Sequence, residues 1–520
     1  MPLQIHNTLT GQVETFTPLE SGKVSFYTCG PTVYDYAHIG NFRSFLAADV
    51  LRRWLESPLC ERVSPDGSAE DAGGYDVTHV MNLTDVGHMT DDAAADGGGE
   101  DKMDAARKRL LDAKKSGALP PGANIDPNDP YAIAEFYADA FVTDARTLGM
   151  KVVEDAEQDP SLLPRPTHVI RDMLEMILEL IENGHAYVAS DGVAYFDVQS
   201  FPDYGKLSGN TLDKIRAGAG GRVADANQAV KKHPADFMLW KPDPTHSMRW
   251  NPSEALGRDV PLKEGYPGWH IECSVMARNR LGDVIDLHSG GEDNIFPHHE
   301  CEIAQSRGAT GAQFFARYWF HPRHLFVEGE KMSKSKGNFF TIRDLMAKGF
   351  EPAAIRLELI KTHYRSNANF TEQGLKDSTR MVERWRRFID AADTSNDAGA
   401  RNETVASEFA RAMNDDLNIA GAIGVLNQWI GAVSAPTKTD AALLREFDGA
   451  LGVLELKAGA TAGGSSDDAA EIESLIAERN AARKDKDFAR ADTVRDQLAA
   501  MGIEIKDGPE GTTWTRKAAL

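Results

Sequence analysis

Only four cysteines occur in the 520 residues of this chain, too few and too scattered for a disulfide framework. No apolar run reaches the length of about eighteen residues that a membrane-spanning helix needs. The opening residues, Met1-Pro2-Leu3-Gln4-Ile5-His6-Asn7, lack the basic and apolar regions of a secretory signal, so a cytoplasmic protein is expected. Basic residues are in deficit as well: 57 Lys and Arg face 79 Asp and Glu, a net charge of −22. A general nucleic-acid binder needs the opposite balance, although a local basic face survives within an acidic chain. Arg479, Arg483, Lys484, Lys486 and Arg490 supply such a face near the end. What is present is ordinary globular material, 42% hydrophobic and 26% charged, enough for about three or four domains.

Against that background one run stands out, Lys331-Met332-Ser333-Lys334-Ser335-Lys336-Gly337-Asn338. Two lysines three apart, among small hydroxyl and glycine residues, make a cationic loop suited to a polyphosphate. Its complement lies upstream, in Cys29-Gly30-Pro31-Thr32-Val33-Tyr34-Asp35-Tyr36-Ala37-His38-Ile39-Gly40-Asn41. Lys23 to Tyr27 predicts a strand, and Phe42, Phe45, Leu46, Val50 and Trp54 recur at helical spacing, so this segment is a strand-turn-helix. Val77 to Met81 predicts a second strand, and that order suggests a parallel, doubly wound sheet with ligands beyond the carboxyl ends of its strands. His38 and Asn41, one turn apart at a helix start, can face phosphates alongside the helix dipole. Gly40 admits close packing of a ribose or base. Taken singly, the first motif fits a capping loop and the second a solvated basic turn; in this order they favour nucleotide activation of a carboxylate. Gly290, Gly291 and Asp293, in Leu287-His288-Ser289-Gly290-Gly291-Glu292-Asp293, suit an adenosine pocket as readily as an ordinary strand-to-helix turn.

His298 and Glu302 lie four apart, hence on one helical face, as two metal ligands would. Cys29 and Cys273 are far from both in sequence. Spacing alone leaves all four as ordinary buried residues, the reading that also suits Cys60 and Cys301.

The two motifs resemble the "HIGH" and "KMSKS" signatures of class I aminoacyl-tRNA synthetases. Along nearly its whole length the chain is similar to the cysteinyl-tRNA synthetase family, through Cys29 to Asn41, Asn82 to Asp85, Pro267 to Ser274, Phe296 to Glu300, Lys331 to Asn338 and Ala412 to Asn418. The resemblance implies an α/β protein: a Rossmann-like parallel-sheet catalytic core with an inserted domain, then a helical bundle and a small C-terminal anticodon-binding domain. The expected divisions are 1–130 and 233–350 for the two core halves, 131–232 for the insertion, 351–457 for a stem and helical tRNA-binding domain, 458–470 for a linker and 471–520 for the anticodon-side domain.

It also implies cysteine–tRNA ligase activity. L-cysteine is activated by ATP, as its Mg2+ complex, and then passed to tRNA(Cys), with the chain acting as a monomer. His38, Asn41, Lys331 and Lys334 are the implied catalytic residues, and Gly40, Gly290, Gly291, Asp293 and Lys334 the implied ATP site. The family motif commonly ends in a second histidine; Asn41 stands there instead, keeping a donor but no possible charge. One Zn2+ is implied on Cys29, Cys273, His298 and Glu302, with Trp269, Thr32 and His299 lining the substrate pocket. Its rationale is selectivity. Shape separates near-isosteres by only about 10², whereas a borderline-soft ion binds a thiolate directly, at about 2.3 Å. Two rivals share parts of this pattern: the cysteine ligase of mycothiol synthesis, which lacks a long tail, and a catalytically silent tRNA-binding paralogue. The tail past Asn338 disfavours the first, and the intact motifs disfavour the second.

Overall fold

In the computed structural model the described residues are 1–87, 89–91, 98–116, 125–210, 212, 230–333, 337–456, 466–484, 487–500, 503–508 and 511–516. Lys334, Ser335 and Lys336 of the lysine run lie outside them, as do Ala93 to Gly97, Gly459 to Ser465, Lys486 and Gly502.

A four-stranded sheet forms the centre, in the order Ala316–Phe320, Ile285–Ser289, Lys23–Thr28, Asp76–Met81, all neighbours parallel. Successive side chains of a strand point to opposite faces, and here each face has its own core. Phe26 joins one apolar cluster with the helix Ile39–Glu56, while Tyr27 joins another with the helices Trp269–Leu281 and Glu300–Thr310. The sheet is therefore covered on both sides, as the parallel arrangement requires.

Helix Ile39–Glu56 is anchored by polar groups in a buried setting. Arg43 spends its guanidinium on backbone carbonyls, those of Arg323, Leu359, Thr362, His363 and Ser366, at 2.8–3.4 Å. Three of these lie at or just past the end of the helix Pro352–Ile360, where carbonyls lack partners of their own. One and a half turns further on, Asp49 accepts from Arg53 at 2.7 Å, Arg356 at 2.6 Å and the amide of Lys151 at 2.8 Å. Burial alone would raise the Asp49 carboxyl; the two guanidinium groups overcome it and hold the carboxyl well below its ordinary value.

Within 131–232 the chain forms the amphipathic helix Ile170–Glu182, followed by the strand pair Ala186–Val188 and Ala194–Phe196. The second half of the core, expected from residue 233, opens not with a parallel strand but with Phe237–Pro242, which pairs antiparallel with Ala194–Phe196 and with Gly265–Pro267. Its hydrophobicity belongs to this second sheet: Phe237 stacks on Phe196 at 4.9 Å. A short apolar run does not reveal which sheet it will join.

From Pro352 to Leu451 the chain is mainly helical, in Pro352–Ile360, Glu372–Asp393, Glu403–Asn414, Ile419–Ala432 and Lys438–Leu451. The tail holds the helices Ser466–Lys484 and Phe488–Ala500 and the hairpin Ile503–Gly508/Gly511–Arg516. It has a small core of its own, built on Ile472, Ile476, Val494, Leu498 and Ile503. No helix among the described residues is long and apolar enough to cross a membrane.

Candidate active site

The chain leaves the strand Lys23–Thr28 through Cys29, whose amide donates to Ser289 O at 2.9 Å, and Gly30, whose amide donates to Asn82 Oδ1 at 2.8 Å. Thr32 then bridges to Thr84, which ties the signature loop to the end of the neighbouring strand. At His38 the helix begins. Its Nδ1 accepts from the amides of Gly40 at 3.0 Å and Asn41 at 3.2 Å, while Asn41 Oδ1 accepts from the His38 amide at 3.1 Å. This reciprocal capping box has a chemical consequence. An accepting Nδ1 carries no proton, so the neutral ring is protonated on Nε2 and donates from that side. Asn41, with its oxygen committed to the cap, has its amide NH2 for donation.

The lysine run meets this helix directly. Ile39 N donates to Phe340 O at 2.9 Å, His38 bridges to Thr341, and the His38 and Phe339 rings meet edge-on at 5.2 Å. A Cβ added at Gly40 would strike Met332 Cε at 2.5 Å, so the glycine is what lets Met332 settle there. Lys331 ends a two-residue strand and is exposed. Asn338 clasps the two ends of the run, accepting from Ser333 N at 2.8 Å and donating to Lys331 O at 3.3 Å. Gly290 and Gly291 follow the strand Ile285–Ser289. A side chain at Gly290 would collide with Asn294 and His299, and one at Gly291 would come within 3.6 Å of Ser44 on the signature helix. Asp293 is exposed nearby.

Beneath this surface the four dispersed residues come together. Ligand atoms of Cys29, Cys273, His298 and Glu302 all lie within 4.8 Å of one another, and all four residues are buried. The sulfurs are 3.7 Å apart, Cys29 Sγ is 3.5 Å from Glu302 Oε1, and His298 Nε2 is 3.1 Å from the same oxygen. Two thiolates on a tetrahedral ion with bonds of about 2.3 Å stand about 3.8 Å apart, so the sulfur pair already has the required span. Burial, with the adjacent Cys273, pushes the Cys29 thiol well up, and burial raises Cys273 too. A cation among them reverses that preference. The donor set therefore fits zinc.

Several residues in this neighbourhood were not singled out from sequence. Glu302 turns its second oxygen to His288 Nε2 at 2.9 Å, and His298 Nδ1 lies 2.9 Å from His270 Nδ1. Tyr27 is fully buried beside the two cysteines, its phenol pushed well up by burial and by Cys273. His288 and His270 sat inside quoted motifs, but nothing in their spacing pointed to a ligand contact. Trp269 stacks on His298 at 4.2 Å, half-buried. His299 faces His321 at 2.7 Å, and burial followed by the surrounding imidazoles pushes it well below the usual value. A second group of four donors, Cys29, His288, His299 and Glu302, shares two members with the first.

Parallel sheet, capped signature helix and lysine run together define a class I aminoacyl-tRNA ligase. Residues 15–380 match the tRNA synthetases class I (C) catalytic domain, and residues 466–514 match the cysteinyl-tRNA ligase anticodon binding domain. Cysteine–tRNA ligases from Salinibacter ruber and Chromobacterium violaceum are 41% and 40% identical, each over 99% of this chain and over 98% and 100% of their own lengths. Among solved structures, the ternary LeuRS-tRNA-LeuAMS complex from Agrobacterium radiobacter shares the fold, with a TM-score of 0.53 at 12% identity over 86% of this chain and 87% of its own. The chain belongs to the cysteine–tRNA ligase family.

Proposed function

We propose that this protein activates L-cysteine with ATP to cysteinyl-adenylate and pyrophosphate, and then transfers cysteine to the 3′-terminal adenosine of tRNA(Cys). The observation that carries the substrate assignment is the buried Cys29, Cys273, His298 and Glu302 cluster, where the chain leaves the carboxyl end of the strand Lys23–Thr28, on the sheet face opposite the signature helix. The names of the curated relatives agree with it. These four residues would hold a zinc ion, at a position where the substrate thiolate would find a soft partner that serine's harder, less acidic hydroxyl does not match. Trp269, stacked on His298, walls that position, with Thr32 and His299 at its margins.

Adenylation consists of attack by a carboxylate oxygen on the α-phosphorus of Mg2+-bound ATP as pyrophosphate departs. Charge spreads over phosphate oxygens in the transition state, so positioning and donor groups dominate. His38 donates from Nε2 and Asn41 from its amide NH2, at a helix start whose dipole favours the same charge. Lys331 and Lys334 neutralise the leaving pyrophosphate. Gly40, Gly290 and Gly291 leave room for the nucleotide, and Asp293 accepts from ribose hydroxyls. In the second step a terminal ribose hydroxyl of tRNA attacks the acyl carbon and AMP leaves. The match of residues 466–514 to an anticodon-binding domain supports tRNA over an amino sugar as acceptor. Both motifs and all four donors come from a single copy, so a monomer suffices, working in the cytoplasm beside its substrates.

The test is ATP–pyrophosphate exchange by the zinc-loaded protein across an amino-acid panel, followed by charging of tRNA(Cys). Exchange with cysteine alone is the expected result. Exchange with another amino acid, or none at all, overturns the assignment.

A further inference from the structure

Two residues past Thr341, in the helix Ile342–Ala347, stands Arg343. Its Nε donates to both oxygens of Asp144, at 2.8 and 3.0 Å, and its Nη2 to Ala140 O at 3.1 Å. Both acceptors lie on the helix Pro130–Thr147. The flat of the same guanidinium lies 4.7 Å from the ring centre of Tyr36, two residues before His38. Tyr36 is in turn wedged edge-on against Phe136 and Tyr137 of that helix, at 6.2 and 5.4 Å.

One side chain thus joins three segments: the exit of the lysine run, the chain entering His38, and the helix Pro130–Thr147, on which Tyr36 also packs. The two segments that flank the chemistry touch through short backbone contacts, Ile39 N to Phe340 O and the His38–Thr341 bridge. Backbone bonds fix their spacing, but not the roll of the exit segment about its own axis. A planar group gripped on one edge by a carboxylate and stacked on an aromatic face restricts that roll, and lysine cannot reproduce both contacts. Asp144 is buried, and burial pushes its carboxyl up to about 6 against the pull of Arg343. The pair is therefore a costly arrangement for stability alone. Nothing in the proposed chemistry uses Arg343, Asp144 or Tyr36.

We infer that Arg343 is a positioning residue for the adenylation step: its hold on Tyr36 and Asp144 sets the segment 338–341 against His38, and so aims Lys331 at the departing pyrophosphate. Cysteine binding lies elsewhere, in the buried metal-ligand cluster, and is independent of it. The inference rests on the proposed activity, so wild-type exchange must be observed first; its absence sinks the function rather than the role of Arg343.

With exchange established, R343M and R343K are compared with wild type for the kcat of cysteine-dependent exchange, the KM for cysteine, zinc content and thermal midpoint. A misplacement of about 1 Å at a reacting group costs on the order of 10² in rate. R343M is therefore expected to lower kcat by about 10- to 100-fold, and R343K by less, while the KM for cysteine and zinc content stay within about twofold. Y36L should follow R343M, and a Y36L/R343M double variant should lose little more than either alone. A kcat within about threefold of wild type in R343M overturns the inference. Losses of kcat, zinc and cysteine affinity in the same proportion overturn it too, because they mark a merely structural residue. If R343M does not fold, R343K decides by the same criteria.

Discussion

The two halves of the proposed active site are built on opposite principles. The lysine run is contiguous, exposed at Lys331 and Gly337, and held at its base by Asn338, Met332 on Gly40, and the Phe340 carbonyl. The ligand cluster draws on four separate positions, is wholly buried, and brings its donor atoms within 4.8 Å of one another. A polyphosphate needs cations on a surface that can adapt to it, and neighbouring residues in one loop provide that. Distinguishing a thiol from a hydroxyl needs rigid, dry coordination, which only residues converging from several elements supply. The contrast teaches that binding by charge can be local in sequence, whereas binding by coordination geometry is a property of the fold.

The sharpest way to break this contrast is to strip the cluster. C273S should reduce bound zinc to a small fraction of one per chain and cut cysteine-dependent exchange by more than about 10², since even residues supporting a metal ligand are worth 10- to 100-fold. Elemental analysis and the exchange assay report the two effects separately, and unchanged zinc occupancy removes Cys273 from the ligand set. Next in size is K331A. Losing one preorganised cation from the pyrophosphate end should lower kcat by on the order of 10²-fold with zinc content and the KM for cysteine unmoved. If the KM for cysteine rises instead, the two halves are not separate devices.

Smallest in activity, though large in stability, is D49N in the signature helix. Removing the charge between Arg53 and Arg356 should cost about 3–5 kcal/mol, read as a lowered urea midpoint, while exchange below the melting range changes little. The pH dependence has a definite sign. The Asp49 carboxyl is depressed in the folded state, so its contribution is fully present above its unfolded value near 3.8 and is lost as pH falls below it. The wild-type midpoint should therefore fall more steeply than that of D49N on acidification, and parallel curves would show that the arginines do not depend on this charge.

This division also explains what could be read without coordinates. The strand Lys23–Thr28, the helix after His38 and the lysine run were legible because period, capping and composition are local signals. Cys29, Cys273, His298 and Glu302 were not, except through family resemblance, because their proximity depends on strand order. His288 was invisible as a partner of Glu302 for the same reason, although it sits in a motif that had been noticed. The pairing of Phe237–Pro242 with Ala194–Phe196 and Gly265–Pro267, rather than with the parallel sheet, was not legible either, since a buried strand carries no label for its neighbour. The capping role of Asn41 depended on one hydrogen bond to the His38 amide, which residue type alone leaves open.

The separation of Cys29 from Glu302 has a consequence during synthesis. The two are 273 residues apart, and the strand Lys23–Thr28 just before Cys29 must also pair with Ile285–Ser289. At about 5–20 residues per second, a ribosome leaves that first strand with one open edge for tens of seconds. Throughout that interval the nascent chain displays an apolar edge and a Cys29 thiol without Glu302 beside it, and the signature helix has no lysine run to receive it. The donor cluster therefore closes late, once the strand at 285 has docked and Glu302 follows it, and the lysine run reaches the signature helix later still. That interval is when the growing chain most needs chaperone cover.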